Sequence, residues 1–437
     1  MHLSGRDAAF ATELAFGTIR WEGLYDRFIA LAADRPIERV DPGLRDTLRL
    51  GAHQLFGMRV PAHAAADETV ALARQVNGAG ASGLVNAVMR RLSEQSRQDW
   101  VAAVVPDGLD VTARLALEQS HPDWVARALR QALLGHGAAT PESVGASLEA
   151  LLTADNTAAE VSLVARPGLT TVADLLARGG RPSPVSPIGV RLDGGAPGDI
   201  PEVRDGRAAV QDEGSQLLAL ALAAAPTQGG GPGRPRWLDL CAGPGGKAGV
   251  LAGLAADAGA DLVCTEISPH RADLVRQTLR LGIEAVGERG ASVVVRTADG
   301  RAVGESEPEA YERVLVDAPC TGLGALRRRP EARWRRQQSD VGALGPLQRA
   351  LLTSALDATR PGGVVAYATC SPHLAETRFV VTDVLKRRDD VEVVDARPVI
   401  AEASAGRLAD LGEGPSVQLW PHVHGTDGMF LSLLRKR

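Results

Sequence analysis

The sequence predicts an α/β protein whose C-terminal half contains a parallel, doubly wound sheet. From residue 210 onward, apolar strand-like runs alternate with helical runs, a pattern typical of a parallel sheet covered by helices. Residues 1–135 show helical periodicity instead, and residues 136–209 combine short strand-like runs with Gly/Pro turns. A chain of 437 residues is also long enough for two or three domains. We therefore predict three domains, at 1–135, 136–209 and 210–437.

The first domain is predicted to be all-helical. GLRDTLRLGAHQLF places apolar residues at helical spacing, and DETVALARQV and SGLVNAVMRRLSEQ continue the pattern. In HPDWVARALRQAL, Pro122 suits the start of a further helix. On this pattern alone, the region is a helical packing module.

The second domain is predicted to be a small α+β piece, with strands in AEVSLVAR and IGVRL and a short helix in TVADLLA. In the third, QDEGSQLLALALAAA is a predicted helix and TQGGGPGRP a flexible connector. Strands are predicted at 236–241, 261–267, 292–297, 313–318 and 363–369, with VEVVDA and GMFLSLLRKR as further edge strands. Ligands bind at the carboxyl ends of strands in such sheets, so functional residues are expected just after each strand.

Composition excludes several classes of protein. No run of about 18 uncharged apolar residues is present, so no membrane span is expected. The start MHLSGRDAAF lacks the pattern of a secretory signal. The four cysteines form no CxxC and no Cys/His cluster with zinc spacing, so we expect no metal and free thiols in a reducing cytoplasm. The net charge of −5 gives no global signal for nucleic acid.

A glycine-rich loop follows the first strand of the third domain, in WLDLCAGPGGKAG. Glycines let the backbone approach a ligand, and the next helix offers free N–H groups. A P-loop is disfavoured because Cys241 stands where its first glycine belongs and no Ser or Thr follows Lys247.

Residues around this loop resemble a site for an adenosine-bearing ligand. Gly243, Gly245 and Ala248 fit GxGxxA, and Glu266 follows about 20 residues on, where it could bind ribose hydroxyls. Asp299, after the third strand, could bind an adenine amino group. A glycine-rich packing turn and an exposed turn aspartate are the alternatives.

Two cysteines follow the fourth and fifth strands. LVDAPCTG places Asp317 and Cys320 at one strand end, and AYATCSP places Cys370 at the next. A buried cysteine is usually a small hydrophobe, but two at adjacent strand ends beside a carboxylate are hard to explain by packing. The local sequence does not assign a different role to each cysteine.

A strongly basic run follows Cys320. Arg side chains suit phosphates, and Arg and Trp faces can stack on bases, so we expect an RNA-binding loop, with a solvated charged helix as the alternative. The run consists of Arg327, Arg328, Arg329, Arg333, Trp334, Arg335 and Arg336.

Together these motifs resemble a known family. DAPCTG, ATCSP and AGPGGK are similar to motifs of RNA (cytosine-5) methyltransferases that use S-adenosylmethionine, and AVQDEGSQL and LWPHVHGTDGMF match further family blocks. ELAFGTIR and GLVNAVMRRL resemble the NusB-like RNA-binding domain. This combination is similar to the RsmB/Fmu type, which methylates one cytosine of 16S ribosomal RNA. The chain departs from the usual pattern at Ala248 and Thr321, where threonine and serine are frequent.

The resemblance implies a Rossmann-like class I methyltransferase with a mostly parallel seven-stranded sheet. It implies that Cys370 attacks the cytosine, that Cys320 promotes release, that Asp317 holds the base and that Lys247 faces the active site. It assigns the RNA-binding role to Arg327, Arg328, Arg329, Arg333 and Trp334. The residues implied to hold S-adenosylmethionine are Cys241, Ala242, Gly243, Pro244, Gly245, Gly246, Lys247, Glu266, Arg271, Asp299 and Asp317.

The expected partner is 16S rRNA, free or in a partly assembled small subunit, and we expect a cytoplasmic monomer. Transfer RNA is an alternative substrate. A non-catalytic RNA-binding assembly factor is an alternative of another class, as is a dinucleotide-dependent oxidoreductase, which would leave the paired cysteines unexplained.

Overall fold

The helical periodicity of residues 1–135 corresponds to eight helices in a computed structural model that describes residues 3, 5–231 and 233–437, and a ninth helix follows in the segment predicted to be part of the second domain. The predicted first domain and the predicted connector therefore include residues outside the described chain, namely 1, 2, 4 and 232. The helices are α1 Gly5–Arg20, α2 Glu22–Ala33, α3 Pro42–Phe56, α4 Ala62–Val76, α5 Ser82–Ser93, α6 Arg97–Val104, α7 Val111–Glu118, α8 Asp123–Gly135 and α9 Val144–Asp155.

These helices enclose a core of their own, in which Leu24, Phe28, Leu48 and Met89 are fully buried. As expected, α8 begins directly after Pro122. The compact helical unit comprises Met1–Arg130, Pro141–Thr157 and Leu326–Arg335. The predicted boundary at residue 135 did not include the last segment, which is distant in sequence. The three-domain division stays a prediction.

The second unit contains a small antiparallel sheet of four strands in the order β2-β3-β1-β4. Leu163, Leu175 and Val190 form part of its core. The predicted strands correspond to β1 and β3 and the predicted helix to α10, which starts at a Thr171 capping box. The elements are β1 Ser162–Ala165, α10 Val172–Leu176, β2 Arg181–Pro182, β3 Gly189–Arg191, α11 Pro201–Arg204 and β4 Ala208–Val210.

The rest of the second unit is built on a large sheet. Its strands are β5 Arg236–Asp239, β6 Asp261–Glu266, β7 Val293–Thr297, β8 Tyr311–Asp317, β9 Thr359–Thr369, β10 Val391–Val394, β11 Val417–Gln418 and β12 Phe430–Lys436. The remaining helices of the chain, of which α16 belongs to the helical unit, are α12 Glu213–Ala224, α13 Gly246–Asp257, α14 Pro269–Glu288, α15 Val303–Ser306, α16 Ala332–Arg335, α17 Gln338–Ala358, α18 Arg378–Leu385, α19 Ala396–Ala403 and α20 Pro421–His424.

The large sheet has the order β10-β12-β9-β8-β5-β6-β7, and β11 pairs with β12. The pairs from β7 to β9 are parallel and those of β12 antiparallel. The predicted mostly parallel sheet is thus confirmed. One detail was wrong: β12 lies between β9 and β10 and is not an edge strand. It is buried along nearly its whole length, as a strand with neighbours on both sides should be.

Both faces of the sheet are covered. Along β9, Val364 and Ala366 join one buried cluster, and Val365 and Tyr367 join another. In the sheet, β6 lies on one side of β5 and β8 lies on the other, so the strand order reverses direction at β5. A reversal of strand order creates a crevice at the carboxyl ends of the strands, where ligands bind. Among the described residues, no helix combines the length and apolarity needed to cross a bilayer.

The close approach of α13 to the chain at Pro167 allows a test of this packing. A methyl group on Gly253 would lie 2.1 Å from the Pro167 carbonyl oxygen, so Gly253→Ala should lower the free energy of unfolding by about 1–3 kcal/mol. In Gly287→Ala, a matched change in α14, the added methyl meets nothing within 4 Å and should be neutral or stabilising by up to about 1 kcal/mol. Denaturant unfolding of the full chain measures both, and equal effects would contradict the packing.

Candidate functional site

The glycine loop lies at the carboxyl end of β5 and leads into α13. Gly245 adopts φ +110° at the N-cap of α13, a conformation that favours glycine. A Cβ on Gly243 would lie 2.2 Å from Oε2 of Glu266. Only glycine at this position therefore allows the Glu266 carboxylate to lie against the loop.

Glu266 and Arg271 hold this loop from the next strand and helix. Glu266 is the last residue of β6 and is buried; its carboxylate accepts from the backbone N–H of Gly243 at 3.2 Å and of Ser268 at 3.0 Å. Arg271 Nη2 donates to the Gly243 carbonyl at 2.6 Å. A carboxylate has about four acceptor positions, so Glu266 keeps capacity for the two hydroxyls of a ribose. The residues present thus fit an adenosine-bearing cofactor.

Asp299 follows β7, as predicted, but its carboxylate is engaged in its own turn. It accepts from the backbone N–H of Arg301 at 2.9 Å and from the Arg301 guanidinium, whose Nη2 lies at 2.5 Å. These bonds lower the pKa of Asp299. The predicted contact with adenine stays a prediction.

Lys247 and Asp317 form a largely buried ion pair across the crevice. Lys247 Nζ lies 2.7 Å from Asp317 Oδ2, and the lysine side chain is only 10% exposed. Burial lowers the pKa of Lys247, whereas Asp317 and, to a smaller extent, the Cys370 sulfur raise it. The raising effects together outweigh burial, so the pKa of Lys247 lies above its ordinary value. Lys247 therefore stays a cation beside the two strand ends that carry the cysteines.

Asp239, the last residue of β5, was missed by the sequence analysis. Its side chain is buried, and burial, followed by the charge of Asp317, raises its pKa to about 7, although Lys247 opposes the shift. The signal was present in WLDL, where a carboxylate ends an apolar run, because an unpartnered carboxylate there would be costly. Asp239 adds a second carboxyl group beside Lys247.

The two cysteines meet at the ends of β8 and β9. These strands are parallel neighbours, with Asp317 opposite Ala368, and the Sγ atoms of Cys320 and Cys370 lie 3.4 Å apart. The hydrogen bond to Cys370, and then burial, raise the pKa of the Cys320 thiol well above its ordinary range. Cys320 therefore keeps its proton to higher pH than an ordinary thiol, and either sulfur can donate in this contact.

The loops that carry the cysteines are also joined through their backbones. Gly324 N donates to the Cys370 carbonyl at 2.9 Å, and Gly428 N donates to the Gly324 carbonyl at 2.7 Å. A Cβ on Gly324 would lie 2.1 Å from the Gly428 carbonyl oxygen. The remaining two cysteines lie at other strands: Cys264 is buried within β6, and Cys241 follows β5. Burial raises the pKa of both thiols.

The basic run does not form one exposed surface. Arg333, expected to bind RNA, is fully buried in the helical unit. Its guanidinium donates to the carbonyls of Arg20, Ser120 and Asp155 and to Asn156 Oδ1, and burial lowers its pKa to about 10. These four hydrogen bonds give Arg333 a packing role within the unit, and its expected contact with RNA stays a prediction.

The other residues of the run differ in exposure. Arg327 is buried, and Arg20 donates to its carbonyl at 3.1 Å. Trp334 Nε1 donates to the Ile19 carbonyl at 2.7 Å. Arg328 is partly buried and Arg329 is exposed. Of the five predicted RNA-binding residues, Arg329 has the most accessible side chain, and the RNA-binding role of Arg327, Arg328, Arg329 and Trp334 stays a prediction.

Solved structures share this Rossmann-like fold. The crystal structure of PH0851 matches with a TM-score of 0.74 at 21% identity, covering 98% of this chain and 90% of that one. A methyltransferase homolog from Pyrococcus horikoshii matches with a TM-score of 0.55 at 23% identity, covering 74% of this chain and 98% of that one. At these identities the likeness establishes the fold.

Sequence comparison identifies the family. Residues 232–435 match the model described as 16S rRNA methyltransferase RsmB/F, and residues 1–94 match the NusB family. Ribosomal RNA small subunit methyltransferase B of Pseudomonas putida is 31% identical over 99% of this chain and 91% of its own length. Rv1407 of Mycobacterium tuberculosis is 50% identical over 99% and 90%, respectively. The chain belongs to the RsmB/F family and is an RNA methyltransferase.

The hydrogen bond between the two thiols predicts a pH effect. Iodoacetamide alkylates the thiolate and not the thiol, so the raised pKa of Cys320 means that its alkylation begins only at higher pH. Cys370→Ala removes the largest cause of that shift, and the pH profile of Cys320 alkylation by iodoacetamide should move to lower pH. Mass spectrometry measures the modified peptide, with buried Cys264 as an internal control for unfolding. An unchanged profile would exclude this hydrogen bond in solution.

Proposed function

We propose that this enzyme methylates carbon 5 of a cytosine in 16S rRNA through a covalent bond between Cys370 and carbon 6 of the base. The observation that carries the proposal is the pair of thiols 3.4 Å apart at the ends of two adjacent parallel strands. The substrate is proposed from the family name and from relatives named for small-subunit ribosomal RNA.

A pair of thiols suits this chemistry because carbon 5 of cytosine is a poor nucleophile. Attack of a thiolate at carbon 6 uses a sulfur electron pair to form the S–C bond, and the electron pair of the 5,6 double bond makes carbon 5 nucleophilic. After carbon 5 has been methylated, its proton must pass to a base, and the Cys320 sulfur in its thiolate form is the proposed acceptor. The C–H electron pair then restores the double bond, and the thiolate leaves with its own pair.

The charges around the thiols support one assignment of roles. The pKa of the Cys320 thiol is raised well above its ordinary value, and the Lys247 ammonium group interacts electrostatically with the sulfur of Cys370. A thiol with a raised pKa is the weaker nucleophile near neutral pH, because the thiolate is the attacking form. Cys370 is therefore the proposed nucleophile, in agreement with the family resemblance, and Cys320 is proposed to promote the final elimination.

Asp317 is proposed to bind the target base. Its carboxylate is fixed by Lys247 at 2.7 Å and is 30% exposed toward solvent. A carboxylate accepts from the exocyclic amino group of cytosine, so Asp317 would orient the ring over the sulfurs. A base inside a duplex cannot reach such a pocket, and the target cytosine must leave its stack.

S-adenosylmethionine is the proposed cofactor and would supply an electrophilic methyl group when bound. Glu266 would bind the ribose hydroxyls. The loop of residues 241–247 and Arg271 would hold Glu266 in place, and Asp299 would accept a hydrogen bond from the adenine amino group. The NusB-type helices are proposed to bind RNA, together with Arg329 from the basic run.

Two cysteine variants test the reaction. With RNA and S-adenosylmethionine, Cys320→Ala should accumulate a protein–RNA adduct on denaturing gels, because bond formation proceeds and elimination is impaired. Cys370→Ala should form no adduct and no 5-methylcytosine. The double variant is the control, and an adduct with Cys370→Ala alone would reverse the two roles.

Bisulfite sequencing of RNA from a deletion strain provides the substrate arm of the same test. Loss of one 16S rRNA cytosine signal, restored by the wild-type gene and not by Cys370→Ala, is the expected result. Loss of a cytosine signal in transfer RNA instead would show that transfer RNA is the substrate, and the proposed methylation reaction would still stand. No lost cytosine signal in either RNA would contradict the proposed function.

Cofactor binding provides a separate prediction. Glu266→Ala should weaken binding of S-adenosylmethionine by about 10- to 100-fold, because a hydrogen bond to a charged group contributes about 1.5–3 kcal/mol. Asp273 is an exposed carboxylate of α14 that pairs with Arg276. Its variant Asp273→Ala is the matched control and should leave binding of S-adenosylmethionine unchanged. Isothermal titration measures both. A wild-type chain that binds no cofactor would indicate a non-catalytic RNA-binding protein.

A further inference from the structure

A buried carboxyl group lies directly beneath the two cysteine loops. Glu376 follows β9 at the end of the turn Leu374–Glu376, and it is 0% exposed. A glutamate is almost never fully buried unless its oxygens are hydrogen-bonded. The identity of its donors therefore shows what the residue holds in place.

The donors come from the residue after each cysteine. One carboxylate oxygen, Oε1, accepts from the backbone N–H of Thr321 at 2.8 Å. The other, Oε2, accepts from the Thr321 hydroxyl at 2.5 Å and from the Ser371 hydroxyl at 2.6 Å. Thr321 follows Cys320 and Ser371 follows Cys370, so one carboxylate spans both loops.

Further hydrogen bonds fix Glu376 itself and the other side of Cys320. Gln348 Nε2, from α17, donates to Oε1 at 3.3 Å and to the Pro319 carbonyl at 2.9 Å. The Tyr367 hydroxyl, from β9, donates to the Glu376 carbonyl at 2.8 Å. Cys320 is thus held through the residue before it and the residue after it.

A purely structural role would require only that the carboxylate be satisfied, and donors from any buried segment could do so. Here the three short bonds go to the residues adjacent to two reactive sulfurs. Two-thiol chemistry requires both sulfurs to reach one base, and a displacement of about 1 Å can cost about 100-fold in rate. A rigid link between the loops meets that requirement.

We propose that Glu376 is a positioning residue that holds Cys320 and Cys370 in the mutual geometry required for the two-thiol reaction. This inference rests on the proposed function, which assigns roles to the two sulfurs and none to Glu376. Glu376 does not touch the substrate; it acts through Thr321 and Ser371.

Glu376 also acts on Cys320 electrostatically. The hydrogen bond to Cys370, burial and the charge of Cys370 raise the pKa of the Cys320 thiol most, and the charges of Glu376 and Asp317 raise it further. Tyr367 is the other titratable group that interacts with Cys320, and Lys247 interacts with Cys370. Removing the charge of Glu376 should therefore lower the pKa of Cys320.

Three variants separate positioning from stability. Glu376→Ala removes all three bonds and should lower kcat by about 100-fold, with KM for S-adenosylmethionine unchanged. Glu376→Asp, one methylene shorter, should lose reach to one loop and reduce kcat similarly. In Glu376→Gln the Thr321 and Ser371 hydroxyls can rotate to accept from the amide, so kcat should stay within about 10-fold of wild type.

The thiols provide a readout that does not depend on methylation. Cys320 alkylation by iodoacetamide should move to lower pH in Glu376→Gln and remain unchanged in Glu202→Ala. Glu202 is also buried and is paired with Arg178, so its variant controls for the loss of a buried carboxylate elsewhere in the same unit. Thermal unfolding of each variant reports the folded fraction, to which all rates are normalised.

The outcomes separate the two proposals. Wild-type kcat in folded Glu376→Ala or Glu376→Asp would overturn the positioning role, and an unchanged Cys320 profile in Glu376→Gln would overturn the electrostatic action of Glu376 on Cys320. If Glu376→Ala does not fold, Glu376→Asp and Glu376→Gln decide the question. If wild-type enzyme forms no 5-methylcytosine and Cys320→Ala forms no adduct, the proposed function fails, whereas a shifted thiol profile would still show that Glu376 acts on Cys320.

Discussion

The parallel pairing of β8 with β9 is the constraint on which the site depends. Because Asp317 and Ala368 are in register, the chain leaves both strands at the same level, and Cys320 and Cys370 follow within a few residues. Two thiols that are 50 residues apart in sequence thereby come to 3.4 Å. The β5 end, beside β8, adds the glycine loop and Asp239 to the same crevice.

The charges at this crevice complement one another. Lys247 is a buried cation among acidic and thiol groups, and its bond to Asp317 stabilises its ammonium form despite burial. The same cation limits the rise in the pKa of Asp239. At Cys320 the hydrogen bond to Cys370, burial, and the charges of Cys370, Glu376 and Asp317 all raise the pKa of the thiol. The two sulfurs are therefore electrostatically unequal although both follow strand ends.

Much of this arrangement could be predicted from the sequence, and the exceptions have physical reasons. Apolar runs identified the strands that became β5 to β9, and polar residues after them identified the site. The place of β12 could not be predicted, because its pairing partners are not encoded locally. Glu376 was missed because its donor Thr321 lies 55 residues away. The packing role of Arg333 could not be predicted either, since the sequence does not reveal the four acceptors that its guanidinium meets.

The contact between Gly324 and Gly428 limits how the loop after Cys320 can change during evolution. It joins main chain to main chain, with the Gly428 carbonyl oxygen 2.1 Å from where a Cβ of Gly324 would be. A side chain elsewhere can shrink to relieve a clash between side chains, but a carbonyl oxygen cannot. A larger residue at position 324 would therefore have to displace main chain, and truncation of a neighbouring side chain would not relieve the clash.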